Sequence, residues 1–240
     1  MMKDSKRGFV PSDEKEFGDK AISKLRQAAE EVLFLLDRGY PVKGTTRFIG
    51  DHYMFSERQR LALARTVSPE EQIASRLERE VKDIEGKTIY IDGFNVIIGL
   101  EIAYSDSMLF SCMDGTIRDL AGLRGTYRLI PETDLAVKAL IRTLAFLKVE
   151  KAIIYLDKPV SNSGRLKQKI YEYAEDCDIE VEVVIEDAVD HVLKQKPLIA
   201  SGDAIILNEC DKWFNFVKCV IAQNIGDYPF INLCQPNDGD

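Results

Sequence analysis

The sequence predicts an α/β domain with a mostly parallel central sheet and helices on both faces, preceded by a small all-α domain. Three observations carry this. Residues 1–86 hold 16 basic and 16 acidic residues, whereas residues 87–240 hold 16 basic and 24 acidic, so the whole net charge of −8 lies in the second part. The first part places its apolar residues at helical spacing. The second alternates short β-rich runs with helical patterns, the βαβ rhythm that builds a parallel sheet. The two domains are expected at residues 1–84 and 87–240, divided near Glu85-Gly86-Lys87.

In the first domain, Ala21, Ile22, Leu25, Ala28, Ala29, Val32, Leu33 and Leu36 form one apolar face of a helix over 19–37. Arg38-Gly39-Tyr40-Pro41 ends it, because glycine suits a C-cap and proline cannot continue a helix. Residues 42–53 (VKGTTRFIGDHY) read as a loop. Ser56 and Gln59 form a capping box for a helix over about 57–66. Ser68-Pro69-Glu70-Glu71 starts another, expected to run to about residue 84. Arg38, Lys43, Arg47, Arg58, Arg60 and Arg65 are interleaved with Asp37, Asp51 and Glu57. That interleaving favours a solvated surface with local ion pairs over a nucleic-acid-docking face.

In the second domain the expected strands are Thr88–Asp92, Ala152–Asp157, Glu180–Ile185, Leu198–Ser201 and Val217–Ile221. Helical patterns cover Asp134–Leu147, Gly164–Asp176, Asp187–Lys194 and Ala204–Trp213. The irregular segment 104–131 is long enough to read as a functional loop.

Composition excludes several classes. Apolar residues at 45% and charged residues at 30% rule out wholesale disorder. An acidic chain is not a bulk DNA-coating protein, though it can bind nucleic acid locally or bind divalent cations through clustered acids. No run of 18 apolar residues spans a membrane, and the N-terminus lacks the apolar core of a secretory signal. The five scattered cysteines never form C-x-x-C, so they read as reduced thiols of a cytoplasmic protein. Two distant histidines, His52 and His191, give little material for a zinc site or a histidine-based triad. There is no P-loop, and no G-x-G-x-x-G follows the first strand.

Ligands of open α/β sheets bind beyond the carboxyl ends of the strands. The first strand ends in Asp92, the second in Asp157, the third runs into Glu186-Asp187 with Asp190 one turn later, and the fourth into Ser201-Gly202-Asp203. Four carboxylates on one rim repel one another unless a cation sits among them. Asp187 and Asp190, at i and i+3, share a helix face; if Asp187 is an N-cap, Asp190 is the better ligand. An all-carboxylate site suits Mg²⁺ or Mn²⁺, ions that prefer oxygen and assist phosphodiester hydrolysis.

With these residues in place, the second domain resembles a PIN-like domain, and IDGFNVI with Asn95 is similar to its NYN branch. The resemblance implies a PIN-like three-layer sandwich whose acids bind Mg²⁺ or Mn²⁺ and cut RNA or other nucleic acids. Asp92 matches the acid of the first strand, Asp190 (less well Asp187) the helix acid before the fourth strand, and Asp203 the acid of the S-x-D turn. Asp157 resembles a second-strand acid of some branches, and Asn95 would orient Asp92 or a water at the metal. The whole chain also resembles a two-part prokaryotic family in which a small helical domain precedes this part. Two positions depart from the pattern. Glu101 is the nearest match to the acid on the helix after the first strand, and Ile205 stands where many active members carry a further acid.

Substrate contacts are expected from two segments. GLRGTYR offers Arg124, Tyr127 and Arg128, with Tyr127 available to stack on an unpaired base. DKPVSNSGRLKQK offers Lys158, Ser161, Asn162, Ser163, Arg165 and Lys167, whose turn opens a helix toward a phosphate. Ser201 completes the set beside Asp203. His191 reads as an exposed helix histidine. The resulting expectation is a metal-dependent nuclease acting on RNA through water rather than a protein nucleophile. The alternative is a catalytically inactive PIN-like nucleic-acid-binding or adaptor protein; homo-oligomerisation is compatible with either.

Overall fold

The computed structural model describes residues 6–122 and 125–235. In chain order, α1 (Asp13–Glu16), α2 (Asp19–Leu36), α3 (Val42–His52), α4 (Glu57–Thr66) and α5 (Glu70–Arg79) come first. β1 (Thr88–Asp92) and α6 (Gly93–Tyr104) follow, then the short β2 (Phe110–Ser111) and β3 (Ile117–Arg118). Next come α7 (Pro131–Phe146), β4 (Lys151–Asp157), α8 (Ser163–Ala174), β5 (Glu180–Glu186) and α9 (Val189–Leu193). β6 (Ile199–Ala200), α10 (Ala204–Glu209), α11 (Phe216–Asn224) and β7 (Ile231–Asn232) complete the chain.

Two compact units result. The first comprises residues 6–78, 107–120 and 229–235 of those described, the second residues 79–106, 121–122 and 125–228. The division therefore falls at 78/79 rather than near 85–87. Much of the segment read as a functional loop over 104–131 groups with the helical unit, because β2 pairs antiparallel with β3 and parallel with β7.

In the first unit, Leu25, Ala28, Ala29, Val32 and Leu36 of α2 meet Ile49 of α3, Ala62 and Leu63 of α4, and Phe110, Leu120 and Leu233. The capping box of α4 forms: the Gln59 N–H donates to Ser56 Oγ at 3.2 Å and the Ser56 N–H to Gln59 Oε1 at 3.1 Å. The stretch 42–53, expected as a loop, is mostly helix. Its buried residues Thr45, Thr46, Ile49 and Gly50 lie on one helical face, and the helix accommodates both Gly44 and Gly50. A Cβ on Gly50 would meet the Arg60 side chain at 2.7 Å, so glycine permits the close approach of α3 and α4. α5 stops at Arg79, five residues short of expectation, and Val81 instead donates its N–H to the Trp213 carbonyl at 2.8 Å.

In the second unit, β5-β4-β1-β6 form a sheet in which every neighbouring pair is parallel. Side chains alternate along each strand. Tyr155 of β4 faces Val189, Leu193, Ile206, Leu207 and Trp213, with Ile153 and Tyr90 packed against them, so α9 and α10 cover that side. Ile154 and Leu156 face the opposite way, toward the start of α6. The expected strand over 217–221 is part of α11: Val217, Val220 and Ile221 are buried at i, i+3 and i+4, a spacing that a short apolar run does not distinguish from a strand in advance. The helix expected over 204–213 ends at Glu209, and Trp213 bridges to Ile199 and Glu80 as a strand-like residue.

Candidate active site

From the central β1 the sheet extends to β4 and β5 on one side and to β6 on the other. The helix after β1 packs on one face and the helix after β6 on the other. The carboxyl ends of β1 and β6 therefore flank a topological switch point, where parallel sheets open a crevice.

Asp92 closes β1 and N-caps α6. Its Oδ1 accepts from the Asn95 N–H at 3.3 Å and its Oδ2 from the Ser201 hydroxyl at 2.8 Å. Gly93 fits α6 against β4, since a Cβ there would lie 2.6 Å from Leu156 Cδ2 and 2.7 Å from the Tyr155 carbonyl oxygen. Only 6% of Asp92 is exposed. Burial pushes its carboxyl up to about 7, against the pull of the Ser201 hydroxyl and the Asn95 N–H, and the charges of Asp157 and Asp203 push the same way as burial.

The end of β6 is stitched to this corner. The Ser201 hydroxyl accepts from the Asp203 N–H at 3.1 Å, and the Asn95 side-chain oxygen accepts from the Gly202 N–H at 2.7 Å. Asp203 N-caps α10, its Oδ1 accepting from Ile205 N–H at 2.7 Å and Ile206 N–H at 3.3 Å. Asn95 thus holds the β6 turn rather than orienting Asp92 with its side chain, and the Ser201 hydroxyl serves Asp92 rather than facing substrate.

Asp157 is half-buried at the end of β4. Burial raises its carboxyl and the charge of Asp190 raises it further. Asp190, on α9, is exposed, yet partial desolvation and then Asp203 raise it, with Lys194 opposing. The repulsion is a closed circuit, running from Asp92 to Asp157, to Asp190, to Asp203 and back to Asp92. Asp187 stands apart, exposed and paired with Lys158 at 3.0 Å. As placed, no group of three or more His, Cys, Asp or Glu side chains among the described residues is arranged to hold a metal ion.

Several expected substrate contacts have other partners. Tyr127 is fully buried, edge-on to Phe94 at 5.1 Å, and cannot stack on a base. Its hydroxyl donates to Glu101 Oε1 at 2.6 Å. Ser161 Oγ accepts from the Tyr127 N–H at 2.9 Å and donates to the Tyr127 carbonyl at 3.1 Å, and Asn162 Nδ2 donates to that carbonyl at 2.6 Å. Ser163 is buried, its hydroxyl donating to the Asp157 and Val160 carbonyls at 2.7 and 2.6 Å. These side chains fold the loop after β4 instead of offering themselves to phosphate. Arg128 and Arg165 are exposed, as is His191, whose ring nitrogen lies 2.9 Å from Gln195 Nε2; Arg124 lies outside the described residues. Glu101 is not a rim acid: it is wholly buried with Tyr127 and Thr133. No local pattern betrays that cluster, whose members lie 26 and 32 residues from Glu101.

Residues 81–219 match the family described as Domain of unknown function (DUF5616), and residues 24–79 match that described as Protein of unknown function (DUF434). The chain is similar to Uncharacterized protein MJ0935 of Methanocaldococcus jannaschii, with 36% identity over 185 residues, 76% of this chain and 88% of that one. No solved structure matches it. The chain belongs to the DUF5616 family, with a DUF434 segment ahead of that domain.

Proposed function

We propose that this member of the DUF5616 family is a metal-dependent nuclease that hydrolyses phosphodiester bonds of RNA on a PIN-like fold. One observation carries the reading: Asp92 at the end of β1, Asp157 at the end of β4 and Asp190 on α9 are each raised, with neighbouring acids (Asp203 among them) contributing to the rise, and the one cation that acts against these rises is Lys194, on Asp190. An oxygen-only donor set of this kind fits Mg²⁺ or Mn²⁺ in its chemistry.

Asp92, Asp157, Asp190 and Asp203 would hold the ion, which when bound supplies Lewis acidity toward the phosphodiester and the attacking water. The chain's own part is to hold those carboxylates. Ser201 and the Asn95 N–H fix the Asp92 rotamer, and Asn95 fixes the Gly202 turn that presents Asp203. Arg128 and Arg165, both exposed, are the cations proposed to meet the phosphate backbone, and Lys158 joins them only by leaving Asp187. Binding to single-stranded RNA therefore weakens with salt at a shallow slope, equivalent to about two to four phosphate contacts.

A second reading, a nucleic-acid-binding or adaptor protein without catalysis, is favoured by Ile205, which is 62% exposed where a further acid would sit, and by the burial of Glu101 away from the rim. Incubation with single-stranded RNA and Mn²⁺ separates the two. The nuclease reading expects cleavage that Asp92→Asn abolishes while binding persists. Metal-independent binding with no cleavage selects the adaptor. Neither binding nor cleavage, on RNA or single-stranded DNA, sinks both.

A further inference from the structure

The segment 125–130 is fastened at both ends and in its middle. The Ser161 N–H donates to the Gly125 carbonyl at 3.1 Å, and Tyr127 is clasped through its backbone by Ser161 and Asn162. The Ile130 N–H donates to Thr133 Oγ1 at 3.0 Å. Beneath this strap, the Tyr127 and Thr133 hydroxyls both donate to the same oxygen, Glu101 Oε1. Tyr127, Thr133 and Glu101 are each fully buried. Asn162 adopts φ +65°, a left-handed conformation that an asparagine tolerates better than most side chains, and this aims the turn at the strap.

The clasping turn begins directly after Asp157, and Ser163 pins it back onto the Asp157 carbonyl. Whatever holds Tyr127 therefore sets where the strap lies along the rim, and with it exposed Arg128. Two hydroxyl donors converging on one buried oxygen, Glu101 Oε1, anchor the Tyr127 ring.

We propose that Tyr127, seated on Glu101, is a positioning residue that fixes the strap 125–130 against the Asp157 end of the rim, so that Arg128 meets the phosphate backbone of bound RNA. This rests on the nuclease or RNA-binding reading and deepens it. It also gives Glu101 a role unlike that of a metal-ligating acid.

The test uses the full chain and fluorescently labelled single-stranded RNA, with two readouts: affinity, and the rate of tryptic cleavage after Arg128 under native conditions. Tyr127→Phe keeps the ring in the core and removes only the hydroxyl. It should speed cleavage after Arg128 and weaken RNA binding about 3- to 10-fold, the loss of one buried hydrogen bond. Where turnover is measurable, KM rises and kcat stays within about twofold. Arg128→Ala should weaken binding comparably, and the double variant should lose little more than either single change. Ser161→Ala loosens the strap from its other side and should behave like Tyr127→Phe. If Tyr127→Phe and Ser161→Ala loosen the strap but leave affinity unchanged, the positioning role is overturned while RNA binding stands. If wild type binds no RNA, the proposed function falls and takes the positioning role with it.

Discussion

Asp114 in the first unit and Asp92 in the second are both buried acids, and the two are treated in opposite ways. Asp114, in the first unit, is 1% exposed and lies 2.7 Å from Arg76 and 2.6 Å from Arg118, with Thr116 donating to it as well. Burial alone would raise its carboxyl; Arg118, Thr116 and Arg76 outweigh burial and hold it below its ordinary value. Asp92, in the second unit, is 6% exposed and has a hydroxyl, a backbone N–H and two further carboxylates for company. Its carboxyl rises to about 7. The contrast separates a charge that the fold pairs with its own cations from a carboxyl whose neighbours are a hydroxyl, an N–H and further acids. Burial beside cations favours the ionised carboxylate, whereas burial without them favours the protonated form.

Changes at the two sites should therefore move stability in opposite directions. The largest effect belongs to Asp114→Ala, which strands two buried guanidiniums and should destabilise by about 3–5 kcal/mol in urea unfolding. A loss under about 1 kcal/mol would show that Arg76 and Arg118 find other acceptors and would break the comparison.

Next in size is Asp92→Asn, expected to stabilise the protein in EDTA at pH 8, by roughly 2–3 kcal/mol. The sign follows from linkage. The folded carboxyl, at about 7, lies above its unfolded value, so the cost of ionising it is absent below about pH 4 and complete once pH passes the folded value. The gain from Asp92→Asn should thus shrink toward pH 5. At Asp114 the folded value is depressed, so its stabilisation is complete above about pH 4 and is lost as pH falls through the folded value. Melting temperatures of both variants between pH 3 and pH 8 would show these opposed trends, and parallel curves would refute them.

The smallest effect is the sharpest discriminator. Millimolar Mn²⁺ should stabilise wild type by mass action, by up to about 2.7 kcal/mol at a hundredfold excess over Kd, and so raise its melting temperature. Asp157→Asn and Asp203→Asn should gain less, and Asp114 variants should gain as much as wild type. A wild-type melting curve indifferent to Mn²⁺ and Mg²⁺ would remove the reason for treating the rim as an ion site.

What the sequence by itself determined is what local chemistry encodes. The capping box at Ser56 and Gln59, the apolar stripe of α2, the first three strands of the parallel sheet and the carboxylates that close β1 and β4 depend on residues within a few positions of one another, so periodicity and turn chemistry suffice to find them. Only the tertiary structure decided the rest. VKCVI in α11 and VKGTTRFIGDH in α3 take the helical form because particular neighbours bury one face of each, and no short window contains those neighbours. Tyr127 read as a base-stacking platform and Glu101 as the nearest match to the acid on the helix after the first strand, until the fold placed one on the other. The strand ends already pointed Asp92, Asp157, Asp190 and Asp203 to one rim; what only the fold decided is the setting of Asp92, buried and bonded to the Ser201 hydroxyl 109 positions away because β6 lies beside β1, and hydrogen bonding depends on distance through space, not along the chain.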